Sequence, residues 1–322
     1  MSRHYRSIHP DRQIERAAGY AGDMDSLAEP FERLGLAEAG TLLDELYGIR
    51  GATLARLDTE RDDSFKVTTA SAEFVLKVAH PADDPLSVNL QTAAMSYAAE
   101  ESGLPLQRVV FTVEGEVEPL FLGRVVRMLT WLPGSPGFEA PDLRMLGATL
   151  GRLTDALSTF DHPAAHRDFA WDSARLDLVR PLLASFPAEE LSATFDWFDG
   201  TDLGSLPRQV IHNDFHPGNV LIADGVVSGI IDFGDVVYTA RVVDLSLALC
   251  YFGESEEFVA GFERTVRLSP EEHAVIPMLI AARYAQRVLI NASLQRGNPD
   301  DRSVSATDAN LLALRAHLER HL

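Results

Sequence analysis

An α+β fold in two lobes, a small antiparallel-sheet lobe followed by a mainly helical one, is what this sequence predicts. Three observations carry that prediction. Short alternating or β-branched runs concentrate before residue 131, helical periodicity dominates after it, and the Pro- and Gly-dense stretch "LPGSPGFEAPD" separates the two. The 322 residues allow one large domain or two lobes, and 46% hydrophobic residues mark a folded chain rather than a disordered one. The division expected is a tail or short docking helix over residues 1–37, a sheet lobe with one helix over 38–132, and a helical lobe over 133–322.

In chain order, "AEAGTLLDELYGI" places Leu42, Leu43, Leu46 and Ile49 at helical spacing. The segments "ATLARLD", "FKVTT" and "EFVLKV", with the breakers "ERDDS" and "TASA" between them, read as three antiparallel strands. A helix over "SVNLQTAAMSYAAESG" follows, closed by Gly103. Then come two more strands, "LQRVVFTV" and "FLGRVVRMLTW". Beyond the connector, Leu143, Leu146, Leu150, Leu153 and Leu157 form one helical stripe with Asp142 as N-cap. Residues 176–198 suggest further helix. A hairpin, "NVLIA" and "VVSGIID" around Asp224-Gly225, interrupts the helices. The segments after it, "DLSLALCYF", "EEFVAGFERTV", "SPEEHAVIPMLIAARYAQRVLI" and "ATDANLLALRAHLERHL", are helical. Ser-Pro-Glu-Glu and Thr-Asp-Ala-Asn open two of them like capping boxes.

The formal charge of −20 argues against a nucleic-acid partner, which calls for a basic footprint, and suits a cationic small substrate. The single cysteine, Cys250, sits in an apolar run, which excludes an intramolecular disulfide and fits a reducing cytoplasm. The N-terminus lacks the apolar core of a signal peptide and no run is long enough for a membrane span, so a cytoplasmic location is expected.

The stretch "VIHNDFHPGNVL", residues 210–221, crowds polar groups between apolar runs. With Asp224 and Gly225 at the hairpin tip, Asn219 faces Ile230, and Asp232 lies on the same face as Asn219, roughly 7 Å away diagonally. Two oxygen donors of that kind suit Mg²⁺, and Asp214 on the adjoining loop can take a hydroxyl proton. Together these are the parts of a phosphoryl-transfer site. The competing reading, His212, Asp214 and His216 chelating a transition metal, leaves Asn219 and "IIDFGD" without a role.

"HNDFHPGN" followed by "IIDFGD" resembles the catalytic and metal-binding segments of the aminoglycoside phosphotransferase and choline kinase group, within the protein-kinase-like fold. The resemblance covers residues 40–320. It implies a bilobal kinase-like fold with Asp214 as catalytic aspartate, Asn219 and Asp232 as Mg²⁺ ligands, and His212 bracing the loop. It also implies that Lys77 contacts the α- and β-phosphates of ATP or GTP, and that the backbone of Met128, Leu129 and Thr130 holds the purine. "RMLTWLPGSP", "FDHPAAHRDFAWD" and "IIDFGDVVYTARVVDLSLAL" are closest to the hydroxylysine kinase-like subgroup. That subgroup implies a small cationic or zwitterionic acceptor bearing a hydroxyl. Trp171 and Asp172 would then lie beside the acceptor and Asp235 would meet its ammonium. Asp172 reads equally well as a helix cap. Arg283 reads as a carboxylate contact or as a solvated helix residue.

Two features depart from the family pattern. The loop "TERDDSFKV" has no glycine, which leaves phosphate contact to backbone amides or Ser64. Where the family often has a helix glutamate beside the lysine, this chain has Gln91. "HRD" at residues 166–168 copies a protein-kinase triplet by letter, but no metal asparagine or aspartate follows it, so Asp168 reads as structural. The leading expectation is a small-molecule kinase acting on a hydroxyl of an amine or amino acid. An aminoglycoside-modifying phosphotransferase and a nucleotide-binding pseudokinase are the rivals.

Overall fold

The structure is a computed structural model describing residues 31–59, 61–137, 142–295 and 303–322. Most of the expected N-terminal tail or helix, and the end of the connector, lie outside the described residues. The sheet lobe starts slightly earlier than expected. Leu34 is buried, and helix α1 runs Leu36–Tyr47. The strands are β1 Thr53–Arg56, β2 Asp63–Thr68, β3 Glu73–Val78, β4 Val109–Val110, β5 Leu120–Phe121 and β6 Arg124–Thr130. They pair antiparallel in the order β1-β2-β3-β6-β4, with β5 also on β6. Leu42, Leu43 and Tyr47 of α1 pack on Phe65, Val67, Leu76, Val126 and Met128 of this sheet. Each fully buried leucine stabilises the lobe by about 1.5–3 kcal/mol.

Helix α2, Pro85–Ser102, is capped by Asp84 and stopped by Gly103, whose φ of 62° requires a left-handed residue. Its buried Leu90, Ala94, Met95 and Ala98 belong to the large core of the second lobe, so α2 ties the lobes together.

In the second lobe, α3 spans Leu143–Ala156, and the Asp142 carboxylate accepts from the Met145 amide as expected. The next stretch is less regular than the sequence predicts. Ser173–Val179 is 3-10, a single α-helical turn covers Arg180–Leu183, and the next longer helix is α4, Glu189–Asp199. Five short strands follow the lobe boundary: β7 Ser135–Pro136, β8 Arg208–Ile211, β9 Val220–Ala223, β10 Val226–Ile230 and β11 Val237–Ala240. Only β9 and β10 are legible in the sequence, because the Asp224-Gly225 turn marks them as a hairpin, whereas the other three are short and have no such turn between them. The helices α5 Val242–Phe252, α6 Glu256–Phe262, α7 Pro270–Gln295 and α8 Ser303–His321 complete the lobe. Ser269 and Glu272 form the reciprocal capping box at the start of α7. Helix α8 begins before Thr307, so Thr-Asp-Ala-Asn is not its opening.

The hairpin tip is as expected, with Asp224 at φ 52° and Gly225 at φ 76°. The register is not. After Val226↔Ala223 and Val227↔Ile222 a bulge at Ser228 shifts the pairing to Gly229↔Leu221 and Ile230↔Val220. The connector packs against the bulge: the Ser228 hydroxyl donates to the Pro133 carbonyl at 2.6 Å, and Leu132 lies where a Cβ on Gly229 would go. Asn219 therefore accepts from the Ile231 amide at 3.0 Å instead of facing Ile230. Its nearness to Asp232 rests on that bond and on the left-handed backbone at Asp232, φ 64°, rather than on a shared strand face.

Candidate active site

Strand pairing assembles the reactive end. β8 pairs with β11 and β9 with β10, so the loops 212–219 and 231–236 emerge side by side. On the first loop the Asp214 amide donates to His212 Nδ1 at 3.2 Å, and the His212 ring stands edge-on to Phe233. His212 is fully buried and burial lowers its pKa, so it braces the loop as a neutral ring. Asn219 Nδ2 donates to the Asp214 carboxylate at 2.6 Å and to its carbonyl at 3.1 Å. Burial opposes ionisation of Asp214, yet His216 at 3.5 Å and Arg283 at 3.7 Å hold its carboxyl below the usual carboxylate range. An ionised Asp214 is the form that accepts a proton.

Asp232 is exposed, and its carboxylate accepts from the Gly234 amide at 3.1 Å. Asp235 is pushed well above its ordinary pKa, first by burial and then by the charges of Asp214 and Asp232, with Arg283 and Arg167 opposing. Arg167, the middle residue of the "HRD" triplet, donates to the Gly234 and Val236 carbonyls at 3.0 and 3.1 Å and so holds the Asp235 loop. Asp168 pairs with Arg175 on the surface, in keeping with its structural reading.

The acceptor-side expectations divide. Arg283 is not a solvated helix residue. It is 2% exposed, donates to the Trp171 carbonyl at 2.8 Å, and lies over the Trp171 ring at 4.9 Å. Trp171 is thereby brought to the site. Asp172 is not: it is buried and caps the following turn by accepting from the Ala174 amide at 2.9 Å.

On the nucleotide side, Lys77 and Ser64 are direct partners across β3 and β2. Lys77 Nζ lies 3.2 Å from Asp62, and Arg127 approaches the same carboxylate at 3.6 Å. Burial opposes ionisation of Asp62, but these two cations keep it below its ordinary range. Gln91 does not orient Lys77; its amide oxygen accepts from Arg127 at 2.9 Å. The counter-charge that the neutral Gln91 lacks is supplied by Asp62 in the glycine-free turn, which the Thr59 hydroxyl and an Arg61–Asp83 ion pair at 2.5 Å hold in shape. Among the described residues the buried Ser64 hydroxyl has no hydrogen-bond partner.

The expected purine contact on Met128, Leu129 and Thr130 is not supported. β6 is flanked by β3 and β4 at these residues, the Thr130 amide donates to Arg108, and its carbonyl accepts from Gln107. Their backbone groups are spent in the sheet. The first backbone amide past the strand with no such bond, among the described residues, is that of Leu132.

Asp244 was invisible to motif reasoning. It lies fully buried in the first turn of α5, and its carboxylate accepts from the Asn213 amide at 2.7 Å and the His212 amide at 3.2 Å. The signal was one acid in the apolar run "VVDLSLALC", since a buried acid needs partners. His216 was dismissed with the chelation reading, yet it flanks Asp214.

The model of the phosphotransferase enzyme family matches residues 53–276. The chain belongs to that family. It is 25% identical over 306 residues to hydroxylysine kinase from Mus musculus, covering 80% of this chain and 81% of that one. Homoserine kinase from Beijerinckia indica subsp. indica is 31% identical over 213 residues, 59% of this chain and 65% of that one. Among solved structures, an amicoumacin kinase in complex with AMP-PNP, Ca²⁺ and Ami superposes with a TM-score of 0.68 at 14% identity, over 90% of this chain and 95% of that one. The fold is thus that of the kinase-like phosphotransferases, and the enzyme is a small-molecule kinase with a hydroxyl acceptor. No helix among the described residues is long and apolar enough to cross a membrane.

Proposed function

We propose that the enzyme moves the terminal phosphoryl group of ATP or GTP, with Mg²⁺, to a side-chain hydroxyl of a small amino acid or amino alcohol, in a cytoplasmic setting. The observation that carries this reading is the ionised Asp214, held by Asn219 and flanked by the His216 ring and the Arg283 guanidinium. Hydroxylysine kinase and homoserine kinase, both named for amino acids with a side-chain hydroxyl, support the acceptor class.

The donor set fits a hard cation. Asn219 spends its amide hydrogens on Asp214, which leaves its oxygen as an acceptor, and the Asp232 carboxylate is exposed. Mg²⁺ held by Asn219 and Asp232 would neutralise charge on the phosphate oxygens. Asp214 accepts the proton of the acceptor hydroxyl as its oxygen bonds to phosphorus and the nucleoside diphosphate leaves. Lys77, positioned by Asp62, offsets charge on the phosphates. Ser64 offers its hydroxyl to a phosphate and the Leu132 amide to the purine. Asp235, in a field that disfavours its own ionisation, gains most from an approaching substrate ammonium.

A buried arginine beside Asp214 disfavours a polycationic aminoglycoside. The pseudokinase alternative loses its motive once Asp62 supplies the counter-charge that Gln91 lacks. Replacing Asp214 by Asn should lower turnover about 10²–10⁴-fold while nucleotide binding changes little. Unchanged turnover in that variant would refute the mechanism. Nucleotide consumption across hydroxy amino acids, amino alcohols and aminoglycosides would identify the acceptor.

A further inference from the structure

We infer that Arg287 is the subsite for a carboxylate on the acceptor, so that the enzyme selects a hydroxy amino acid over the corresponding amino alcohol. The inference rests on the kinase reading above and deepens it. Arg283 and Arg287 stand four residues apart on α7, about 6 Å along the helix. The two are differently engaged. Arg283 is buried, donates to Trp171 and faces Asp214 at 3.7 Å, so its charge is committed to the catalytic aspartate.

Arg287 is half-buried and lies 4.6 Å over the ring of Tyr251, with the Cys250 thiol as its polar neighbour. Among the described residues no carboxylate pairs with it. That is unexpected in a chain with 48 acidic and 28 basic residues, where a carboxylate is easily supplied. The Tyr251 ring also meets His216 at 5.1 Å, and His216 approaches Asp214 at 3.5 Å. Two rings in contact, Tyr251 and His216, therefore link the uncompensated guanidinium to the group that deprotonates the acceptor. A substrate carboxylate a few carbons from the reacting hydroxyl would meet Arg287 while its hydroxyl meets Asp214. Partial burial strengthens that pairing, and arginine's planar fork matches a carboxylate.

The test compares three acceptors with the same hydroxyl chain: the amino acid, its carboxamide and the decarboxylated amino alcohol. The wild-type enzyme should favour the acid in kcat/KM by about tenfold or more, the worth of one charge-assisted pair. In Arg287→Leu that preference should fall to within about threefold, chiefly through KM, with an unchanged unfolding midpoint. Arg287→Lys should restore part of it. Equal use of acid and amide by the wild-type enzyme, or an intact preference in Arg287→Leu, would overturn the inference. Calorimetric binding of the same compounds separates the two readings. Absent transfer with acid-selective, Arg287-dependent binding would refute the kinase reading and sustain the subsite. Absent acid selectivity in binding would refute the subsite whatever the turnover.

Discussion

The sharpest test of how the site is built is to remove Asp244. Its carboxylate accepts from two buried backbone amides, those of His212 and Asn213, and lies 3.4 Å from the Thr154 hydroxyl. Asn213 holds φ at 60°, so these bonds fix a conformation that the loop would not choose freely. In Asp244→Ala both amides lose their acceptor without reaching water. At about 1–3 kcal/mol for each unsatisfied buried group, the loss is about 2–6 kcal/mol. That is a large share of the roughly 5–15 kcal/mol that stabilises a typical fold. Turnover should fall as well, by up to about a hundredfold if Asp214 moves by an ångström. Asp244→Asn keeps one acceptor oxygen and should lose about half as much stability.

The pH dependence carries its own sign. Burial raises the Asp244 pKa from 3.8 to about 6 despite the two amide bonds. A raised folded-state value means that the stabilisation is complete below pH 3.8 and is lost as pH rises through about 6. At roughly 1.4 kcal/mol per tenfold change in proton affinity, that group alone makes the fold about 3 kcal/mol less stable at pH 7 than in acid. Asn does not titrate, so the deficit of Asp244→Asn against wild type should be larger at pH 4 than at pH 7. Urea unfolding of both proteins at the two pH values measures it. A deficit that is flat or reversed with pH, or an Asp244→Ala protein with wild-type midpoint and turnover, would refute the reasoning.

Two further substitutions test other parts of the structure. Asp62→Ala should raise the nucleotide KM about tenfold or more, because it frees Lys77 and Arg127 from the carboxylate that positions them, whereas Gln91→Ala should change it by less than about threefold. The opposite ranking would restore the helix residue as the partner of Lys77. Where α3 crosses α6, a Cβ on Gly147 would come 1.9 Å from the Phe258 carbonyl oxygen. Gly147→Ala should therefore lower stability by about 1–3 kcal/mol in denaturant unfolding, outweighing the helix preference of alanine. An alanine variant as stable as wild type would show that the helices separate at no cost.

What the sequence discloses depends on whether a role is written locally. The proposed catalytic loop and proposed metal-binding pair stand within nineteen positions, from Asp214 to Asp232, and stand out in the sequence as polar groups between apolar runs. The strand lysine is legible too. The partners that meet across the fold are not. "ERDDS" reads as a turn, and nothing in its spacing says that Asp62 will reach Lys77 from the residue before the neighbouring strand. Arg283 reads as solvated because α7 is apolar on nearly every side, with Met278, Leu279, Ile280, Ala281 and Ala282 buried in succession. Such a helix has no polar face against which one charged residue stands out. The pairing of β6 was hidden for a similar reason: spacing located β6 but not the strand on its far side that occupies its backbone.

The missed residues share a manner of acting that explains why they were missed. Asp244 holds the backbone at 212 and 213, Arg167 the carbonyls of 234 and 236, and Gln286 the carbonyls of Ala170 and Asp172 at 2.8 Å each. Each clamps the main chain of a site loop with a side chain distant in sequence. Main-chain partners impose no residue type on the loop they hold, so no motif records them. They also fix the loops without using the loop side chains, which leaves the exposed Asp232 carboxylate and the oxygen of Asn219 able to accept further bonds while their backbone is held. A site held this way has its donors arranged before substrate arrives, and little reorganisation is left to oppose the reaction.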